Sequence, residues 1–235
     1  FPTRRSSDLA DLLEALGVKI DLTGKEVEQT VHKIGIGFCF APIFHSAMKH
    51  AVTARKELGV PTVFNILGPL ANPAKPVAAA IGVARAELLM LMAQVLLDQG
   101  KEGFVFRGDD GIDEVSISTT TTVIQISKGK LKQEIFNPAD LGITAAPISA
   151  LAGGDAKFNA LMTNQIFAGK TGPMRDAVAL NAAFAIAAFK ADFDLPLQTQ
   201  IANGFVLANQ AIDSGAAAAV LKKWVELSNE IVSAR

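Results

Sequence analysis

Two short apolar segments with a helical segment between them constrain the fold of this chain most. Residues 77–83 and 103–107 are almost continuously apolar, as strands buried on both faces of a sheet are, and residues 84–97 have the apolar spacing of a helix. A strand, a helix and a strand in succession are typical of α/β proteins. The sequence therefore predicts an α/β fold in which helices flank a central mixed, mainly parallel sheet.

A stretch rich in β-branched residues follows this unit. Residues 115–136, VSISTTTTVIQISKGKLKQEIF, are interrupted by Lys-Gly at residues 128–129, which predicts two antiparallel strands joined by a turn.

Thr23, followed three residues later by Glu26, forms a capping box that predicts the start of a helix. Helices are expected at residues 11–16, 24–33, 44–58, 155–168, 174–190, 195–213 and 216–231. The four prolines in residues 60–76 predict a shaped, mostly buried connection that acts as a hinge.

Charge and apolar content argue against several classes of protein. The chain has 22 Lys and Arg against 23 Asp and Glu, so no overall field attracts it to nucleic acid or to an anionic membrane. The most apolar stretches, such as residues 177–189, are shorter than the roughly 20 residues that a membrane span needs. Cys39 is the only cysteine, which is typical of a protein of the reducing cytoplasm.

The first nine residues do not resemble a natural N-terminus. FPTRRSSDL, residues 1–9, has a back-translation that matches the end of a widely used sequencing adapter, and the first methionine of the chain is Met48. We therefore expect residues 1–9 to be an assembly artefact and Ala10 to continue an earlier reading frame. A natural basic N-terminal loop is the alternative.

Asp113 and Glu114 are the candidate metal ligands. They lie in GDDGIDEVS, soon after the apolar segment at residues 103–107. Ligands of α/β proteins commonly bind beyond the carboxyl ends of the strands. Mg²⁺ prefers one or two carboxylates together with water and substrate phosphate. The pair is therefore suited to a magnesium ion shared with a phosphorylated ligand, although a merely solvated acidic loop has the same composition.

Basic residues in the predicted helix at residues 44–58 are candidates for binding an anion. His45 and Arg55 are ten residues apart, which is close to three helical turns, so they lie on the same broad side of the helix. The guanidinium fork matches the two oxygens of a carboxylate, which makes Arg55 a candidate clamp for an anionic substrate. The alternatives are a solvated charge for Arg55 and a capped or core-edge histidine for His45. The sequence contains no Walker phosphate loop, dinucleotide glycine fingerprint, zinc cysteine pattern or GxSxG elbow.

Two long motifs carry a resemblance to a known family. Residues 38–76, FCFAPIFHSAMKHAVTARKELGVPTVFNILGPLANPAKP, closely resemble the signature stretch of anthranilate phosphoribosyltransferases, and RGDDGIDEVS at residues 107–116 resembles their metal-binding loop. AGGDAKFNA at residues 152–160 and GPMRDAVALNAA at residues 172–183 continue the similarity. The resemblance implies transfer of phosphoribose from phosphoribosyl pyrophosphate to the amine of anthranilate, with release of pyrophosphate, in tryptophan biosynthesis.

The resemblance also implies roles for individual residues. Arg55 is expected to contact the anthranilate carboxylate, while His45, Asn65 and Pro69 fall in segments that line or hinge the anthranilate channel. The carboxylate pair described above is expected to hold Mg²⁺, the one cofactor implied. No residue is singled out as a certain catalytic group.

The family fold is nucleoside phosphorylase/phosphoribosyltransferase-like, with a large α/β domain hinged to a small helical domain. The resemblance places residues 10–23 and 60–235 in the α/β domain and residues 24–59 in a remnant of the helical domain. Because members commonly pair through helical-domain contacts, a homodimer is the expected assembly of the full-length protein.

Two motifs of the family are missing from these 235 residues. Members carry, ahead of the DLLEALG helix, a glycine-rich GTGGD loop that cradles pyrophosphate and a KHGNR segment that completes the site. The main-chain amides of such a loop are the principal phosphate cradle. The resemblance therefore implies an N-terminally truncated chain that is itself inactive.

Three other functions stay open at this point. A pyrimidine nucleoside phosphorylase shares the architecture, but the surroundings of Arg55 and the GPLANP segment favour anthranilate. A nucleic-acid-binding relative would need a basic groove that contacts many phosphates, and the net charge of −1 argues against one. A fragment without a function of its own is the third alternative.

Overall fold

The computed structural model describes residues 8–45 and 64–235. Its helices are α1 (Asp8–Ala15), α2 (Gly24–Ile34), α3 (Ala41–Phe44), α4 (Phe64–Leu70), α5 (Leu88–Asp98), α6 (Ala156–Phe167), α7 (Pro173–Lys190), α8 (Leu197–Asp213) and α9 (Ala216–Ser233). Its strands are β1 (Ala78–Gly82), β2 (Glu102–Gly108), β3 (Thr121–Ser127) and β4 (Lys130–Phe136). Short 3-10 helices cover Pro138–Leu141 and Ile148–Leu151.

Contacts divide the chain into two compact units. The sheet unit comprises residues 74–152 and 169–213 and contains all four strands. The helical unit comprises residues 153–168, residues 214–235 and the described part of residues 1–73. These boundaries differ from the domains expected from the sequence, and the expected domains stay a prediction.

The sheet has the strand order β1-β2-β3-β4. β1 and β2 are parallel and are connected through α5, as the strand–helix–strand pattern predicted, whereas β2–β3 and β3–β4 are antiparallel. At the turn of the β3–β4 hairpin, Lys128 and Gly129 have φ values of 50° and 73°, as a type I′ turn requires. The α/β fold with a mixed sheet is confirmed. Within the described residues the sheet is not mainly parallel, because the hairpin adds two antiparallel pairings to the single parallel one.

Helices cover both faces of this sheet. α7 packs against β1 and β2 on one face, and α5 packs against β2 and β3. Phe184 of α7 lies at the centre of the core, with its ring centroid 5.2–5.5 Å from those of Phe104, Phe106 and Phe136. Because the four rings are buried and meet largely edge to face, they fix α7 against the sheet.

Close approach and an ion pair join α8 to α7. A Cβ at Gly204 of α8 would lie 2.5 Å from the carbonyl oxygen of Ala183, so only glycine permits this separation. Arg175, which is buried, donates to Asn209 Oδ1 and pairs with Asp213 at 2.7 Å. The guanidinium of Arg175 thus makes charge-assisted hydrogen bonds to two residues of α8, which link the two helices strongly. The orientation of α7 is therefore fixed by α8 as well as by the sheet.

The helical unit has a smaller core around Trp224 of α9. Trp224 packs with Ala10, Leu13, Val18 and Ile20, all of them buried. The capping box at the start of α2 is present, since Glu26 accepts a hydrogen bond from the main-chain N–H of Thr23 at 2.7 Å. Arg235 also donates to Glu26 at 2.9 Å. The C-terminal residue is thereby tied to the first turn of α2.

Most of the predicted helices are confirmed, with ends displaced by at most four residues. The helix expected at residues 44–58 lies largely outside the described residues, which resume at residue 64. Residues 60–76 were expected to form a shaped, mostly buried connection. They contain α4 instead, and residues 67–76 are exposed or half-exposed. Pro69 is the sixth of the seven residues of α4, so the helix ends one residue after the position at which proline removes a main-chain N–H donor.

No single helix of the described residues is both long and apolar enough to cross a membrane. The consecutive helices α8 and α9 meet that length and composition only when they are taken together.

Candidate metal site

The loop between β2 and β3, residues 109–120, carries the predicted metal ligands. It begins at the carboxyl end of β2 and lies against the carboxyl end of β1, where a Cβ on Gly82 would be 1.6 Å from the carbonyl oxygen of Asp113. The site is therefore at the sheet edge where α/β proteins commonly bind ligands. We call residues 109–120 the acidic loop.

Two of the four carboxylates in this loop are used to hold its shape. Asp110 accepts hydrogen bonds from the hydroxyls of Ser116, at 2.6 Å, and Ser118. Asp109 accepts from Thr120 and, at 2.7 Å, from Thr122. Both aspartates are thus engaged by hydroxyl groups of the loop and of β3.

These hydrogen bonds control the ionisation of Asp110. Partial burial is the largest single influence and raises its pKa, but the combined donation from Ser116, Ser118 and the Ile112 N–H holds the pKa of Asp110 below its ordinary value. Asp110 is therefore a carboxylate at neutral pH and a stable acceptor at the base of the loop.

Main-chain hydrogen bonds close the loop. The N–H of Gly108 donates to the carbonyl oxygens of Ile112 and Glu114, both at 3.1 Å. A Cβ at Gly108 would lie 2.5 Å from Asp110 Oδ1, so the absence of a side chain there lets the loop fold back on β2. The N–H of Asp109 donates to the carbonyl oxygen of Thr120 at 3.0 Å. The segment that carries Asp113 and Glu114 is thereby fixed at both ends.

Asp113 is exposed and Glu114 is half-buried, so solvent reaches both side chains. No group of three or more His, Cys, Asp or Glu side chains is arranged as a metal site within residues 8–45 and 64–235. A site of two carboxylates fits Mg²⁺, which completes its octahedron with water and substrate phosphate and seldom has an all-protein cage. The donor set of the acidic loop is thus compatible with the expected magnesium.

Three of the four predicted anthranilate residues, His45, Asn65 and Pro69, belong to the helical unit. His45 follows α3 and is half-buried, and its main-chain N–H donates to the carbonyl oxygen of Ala41 at 2.8 Å. Pro69 lies in α4 and is exposed, and Asn65 belongs to the same helix. Arg55 lies outside the described residues. Their roles toward anthranilate stay predictions.

Two residues that support the acidic loop were not singled out from the sequence. Asn181 of α7 contacts the main chain of Val115, and Gly82 ends β1. Asn181 belongs to the GPMRDAVALNAA motif, but nothing within that motif indicates a contact 66 residues away. Gly82 ends an apolar strand, where glycine can indicate close approach of another segment.

Comparison with known proteins identifies the family. The model of the glycosyl transferase family, a/b domain, matches residues 5–218. An anthranilate phosphoribosyltransferase of Rhodococcus jostii is 49% identical over 226 residues, which are 96% of this chain and 62% of that protein. The crystal structure of the Thermus thermophilus enzyme is 37% identical, with a TM-score of 0.85, over 96% of this chain and 67% of that one. The chain belongs to the anthranilate phosphoribosyltransferase family.

A second solved structure of an anthranilate phosphoribosyltransferase is also similar to this chain. The Saccharomyces cerevisiae protein, in complex with PRPP and Mg, matches with a TM-score of 0.84 and 29% identity, over 94% of this chain and 63% of that one. The family resemblance inferred from residues 38–76 and 107–116 is thereby confirmed. The chain spans 62% of the length of the Rhodococcus jostii relative.

Proposed function

We propose that this sequence is the greater part of the catalytic machinery that transfers phosphoribose from phosphoribosyl pyrophosphate to the amine of anthranilate. The observation that carries the proposal is the acidic loop, which presents Asp113 and Glu114 beside the carboxyl ends of β1 and β2. The 49% identity to an anthranilate phosphoribosyltransferase supports the choice of this reaction over a nucleoside phosphorolysis.

Asp113 and Glu114 are the residues that would hold Mg²⁺. When bound, the ion neutralises the charge that develops on the departing pyrophosphate. The protein's own contribution is to hold the two carboxylates in place before the substrate arrives. The hydrogen bonds from Ser116 and Ser118 to Asp110 supply that rigidity, so little reorganisation is needed during the reaction.

The acceptor is assigned to the segment that carries Arg55. Its guanidinium would hold the anthranilate carboxylate through two parallel hydrogen bonds, and His45, Asn65 and Pro69 would line the channel. The amine of a substrate held in this way can attack the anomeric carbon as oxocarbenium character develops there. Orientation of the acceptor then accounts for much of the rate.

A homodimer and a cytoplasmic location complete the proposal. The free thiol of Cys39, the only cysteine of the 235 residues, supports a reducing compartment. The dimer rests on the family resemblance alone.

Turnover tests the proposal directly. Since the GTGGD and KHGNR segments are absent from the 235 residues, we expect these residues alone to give no product. We therefore propose to join residues 10–235 to the preceding segment of the Rhodococcus jostii relative and to follow the loss of anthranilate fluorescence with phosphoribosyl pyrophosphate and Mg²⁺. The joined protein should be active, and Asp113→Asn with Glu114→Gln should lower kcat/KM by about 100-fold or more.

Asp98→Asn is the matched control for this double variant. Asp98 is exposed at the end of α5, next to the start of β2 and therefore at the opposite end of that strand from the acidic loop. Its loss should change kcat/KM less than two-fold. Equal losses in the control and the double variant, or phosphorolysis of a pyrimidine nucleoside without anthranilate turnover, would contradict the proposal.

A further inference from the structure

Asn181 makes a two-sided contact with the acidic loop. Its Oδ1 accepts the main-chain N–H of Val115 at 2.9 Å, and its Nδ2 donates to the carbonyl oxygen of Val115 at 3.3 Å. Nδ2 also donates to the carbonyl oxygen of Ala177, one turn earlier in α7, at 2.9 Å. A single amide side chain thus satisfies both polar main-chain groups of the residue next to Glu114.

The contact joins the loop to a rigid part of the sheet unit. The side chain of Val115 is fully buried in the core that contains Leu180 and Phe184 of α7. A buried main-chain N–H or C=O group without a hydrogen-bond partner destabilises the fold. Asn181 supplies both partners to Val115, as a neighbouring strand would in a sheet. The hydrogen bond from Nδ2 to the carbonyl oxygen of Ala177 restricts the orientation of the Asn181 amide group. If the loop is displaced, the amide group cannot readily move with it.

The opposite side of the loop is limited by β1. The carbonyl oxygen of Asp113 occupies the space that a side chain at Gly82 would need. Residues 113–115 are therefore held between the end of β1 and Asn181. Both candidate metal ligands lie within this held segment.

We infer that Asn181 is a positioning residue that sets the affinity of Asp113 and Glu114 for a divalent cation. Asn181 acts through the main chain of Val115, and it touches neither the cation nor the substrate. The inference rests on the proposed function, in which these two carboxylates hold Mg²⁺. Because Mg²⁺ demands near-ideal octahedral geometry, a small displacement of the pair weakens binding. Residues that orient metal ligands typically change metal affinity by about 10–100-fold when they are replaced.

Asn209 offers a matched control on another helix. It is a half-buried asparagine of α8 that donates to the carbonyl oxygen four residues earlier, Phe205, at 3.1 Å. Its Oδ1 accepts from Arg175, not from the acidic loop. Asn181→Ala and Asn209→Ala therefore remove the same chemical group from similar helical surroundings. Arg175 keeps its ion pair with Asp213 in Asn209→Ala, so α7 stays joined to α8, and only Asn181→Ala releases the loop.

The experiment is a titration of the full 235-residue chain with Mn²⁺ as a paramagnetic substitute for Mg²⁺. Broadening of the amide signals of residues 110–116 is followed in the wild type and in both variants, and excess Mg²⁺ reverses it. We expect Asn181→Ala to raise the half-broadening concentration at least ten-fold and Asn209→Ala to change it less than two-fold. Amide exchange provides a second readout, and that of Val115 should accelerate at least ten-fold in Asn181→Ala alone.

If Asn181→Ala does not fold, the isosteric variant Asn181→Asp tests the positioning role of Asn181 instead. It keeps the acceptor for the Val115 N–H but turns a carboxylate toward the carbonyl oxygens of Val115 and Ala177. Added negative charge near the loop would by itself tighten cation binding. A weakening of at least five-fold therefore supports positioning, and an unchanged or tighter site overturns it.

The outcomes separate this inference from the proposed function. If Mn²⁺ broadens the loop in the wild type and equally in Asn181→Ala, the positioning role is wrong and the metal site stands. If Mn²⁺ does not broaden residues 110–116 in the wild type, the metal role of Asp113 and Glu114 is contradicted, and the inference fails with it.

Discussion

Gly82→Ala is the smallest change that should displace the acidic loop from its position beside the sheet. A Cβ built on Gly82 lies 1.6 Å from the carbonyl oxygen of Asp113 and 3.3 Å from the ring of Phe106. Cβ atoms almost never approach other atoms within 3.0 Å. Either β1 or residue 113 must therefore move by about 1.4 Å.

The direction of that movement follows from the packing. β1 is paired along its length with β2, and its end is fixed by the hydrogen bond from the Val83 N–H to the carbonyl oxygen of Phe106 at 2.9 Å. The loop has fewer main-chain bonds than the strand and should yield first. Mg–O distances of about 2.0–2.1 Å leave no room for a displacement of that size.

We expect Gly82→Ala to weaken Mn²⁺ binding by at least ten-fold and to lower kcat/KM of the joined protein by about 100-fold, a loss that a misplacement of about 1 Å can cause. Overpacking should also lower the free energy of unfolding by about 1–3 kcal/mol. Mn²⁺ broadening and urea denaturation measure the two effects. Gly24→Ala is the control, since its Cβ would make only an ordinary contact of 3.7 Å with Phe44. Unchanged Mn²⁺ affinity in a folded Gly82→Ala protein would refute the reasoning.

Two further predictions concern stability. Phe184→Ala removes the ring at the centre of the core and should lower the free energy of unfolding by about 3–5 kcal/mol in urea denaturation, so a loss below about 1 kcal/mol would be inconsistent with a central role. Glu26 has its pKa lowered from 4.5 to about 2, first by Arg235 and then by the capping box. A lowered carboxyl pKa stabilises the fold fully above pH 4.5, and this stabilisation is lost as the pH falls toward 2. Glu26→Gln should therefore lower the melting temperature at pH 7 and have little effect near pH 2, whereas equal effects at both pH values would exclude this linkage.

Local signals explain which parts of the fold were predictable from the sequence. The Lys-Gly turn at residues 128–129 and the capping box of Thr23 with Glu26 each depend on neighbouring residues, and both are present. Strand direction was harder to predict, because an apolar pattern indicates burial without indicating which strands pair. The prolines of residues 60–76 argued against α4, since proline disfavours a helix beyond its first turn and Pro69 lies in the last turn of α4.

The supports of the candidate site were less predictable than its ligands. Asp113 and Glu114 are adjacent in a recognisable motif, whereas the Asn181–Val115 contact spans 66 residues and depends on the packing of α7. Only the structure assigns Asp109 and Asp110 to hydroxyl groups of the loop and of β3.

The most direct test of the central claim is a Mn²⁺ titration of the wild-type chain with and without inorganic pyrophosphate. If the acidic loop holds a divalent cation together with the leaving group, broadening should centre on residues 113 and 114 and should occur at a lower Mn²⁺ concentration when pyrophosphate is present. Asp113→Asn with Glu114→Gln should abolish it, and Asp98→Asn should leave it unchanged. Broadening centred elsewhere, or broadening that survives the double variant, would contradict the account.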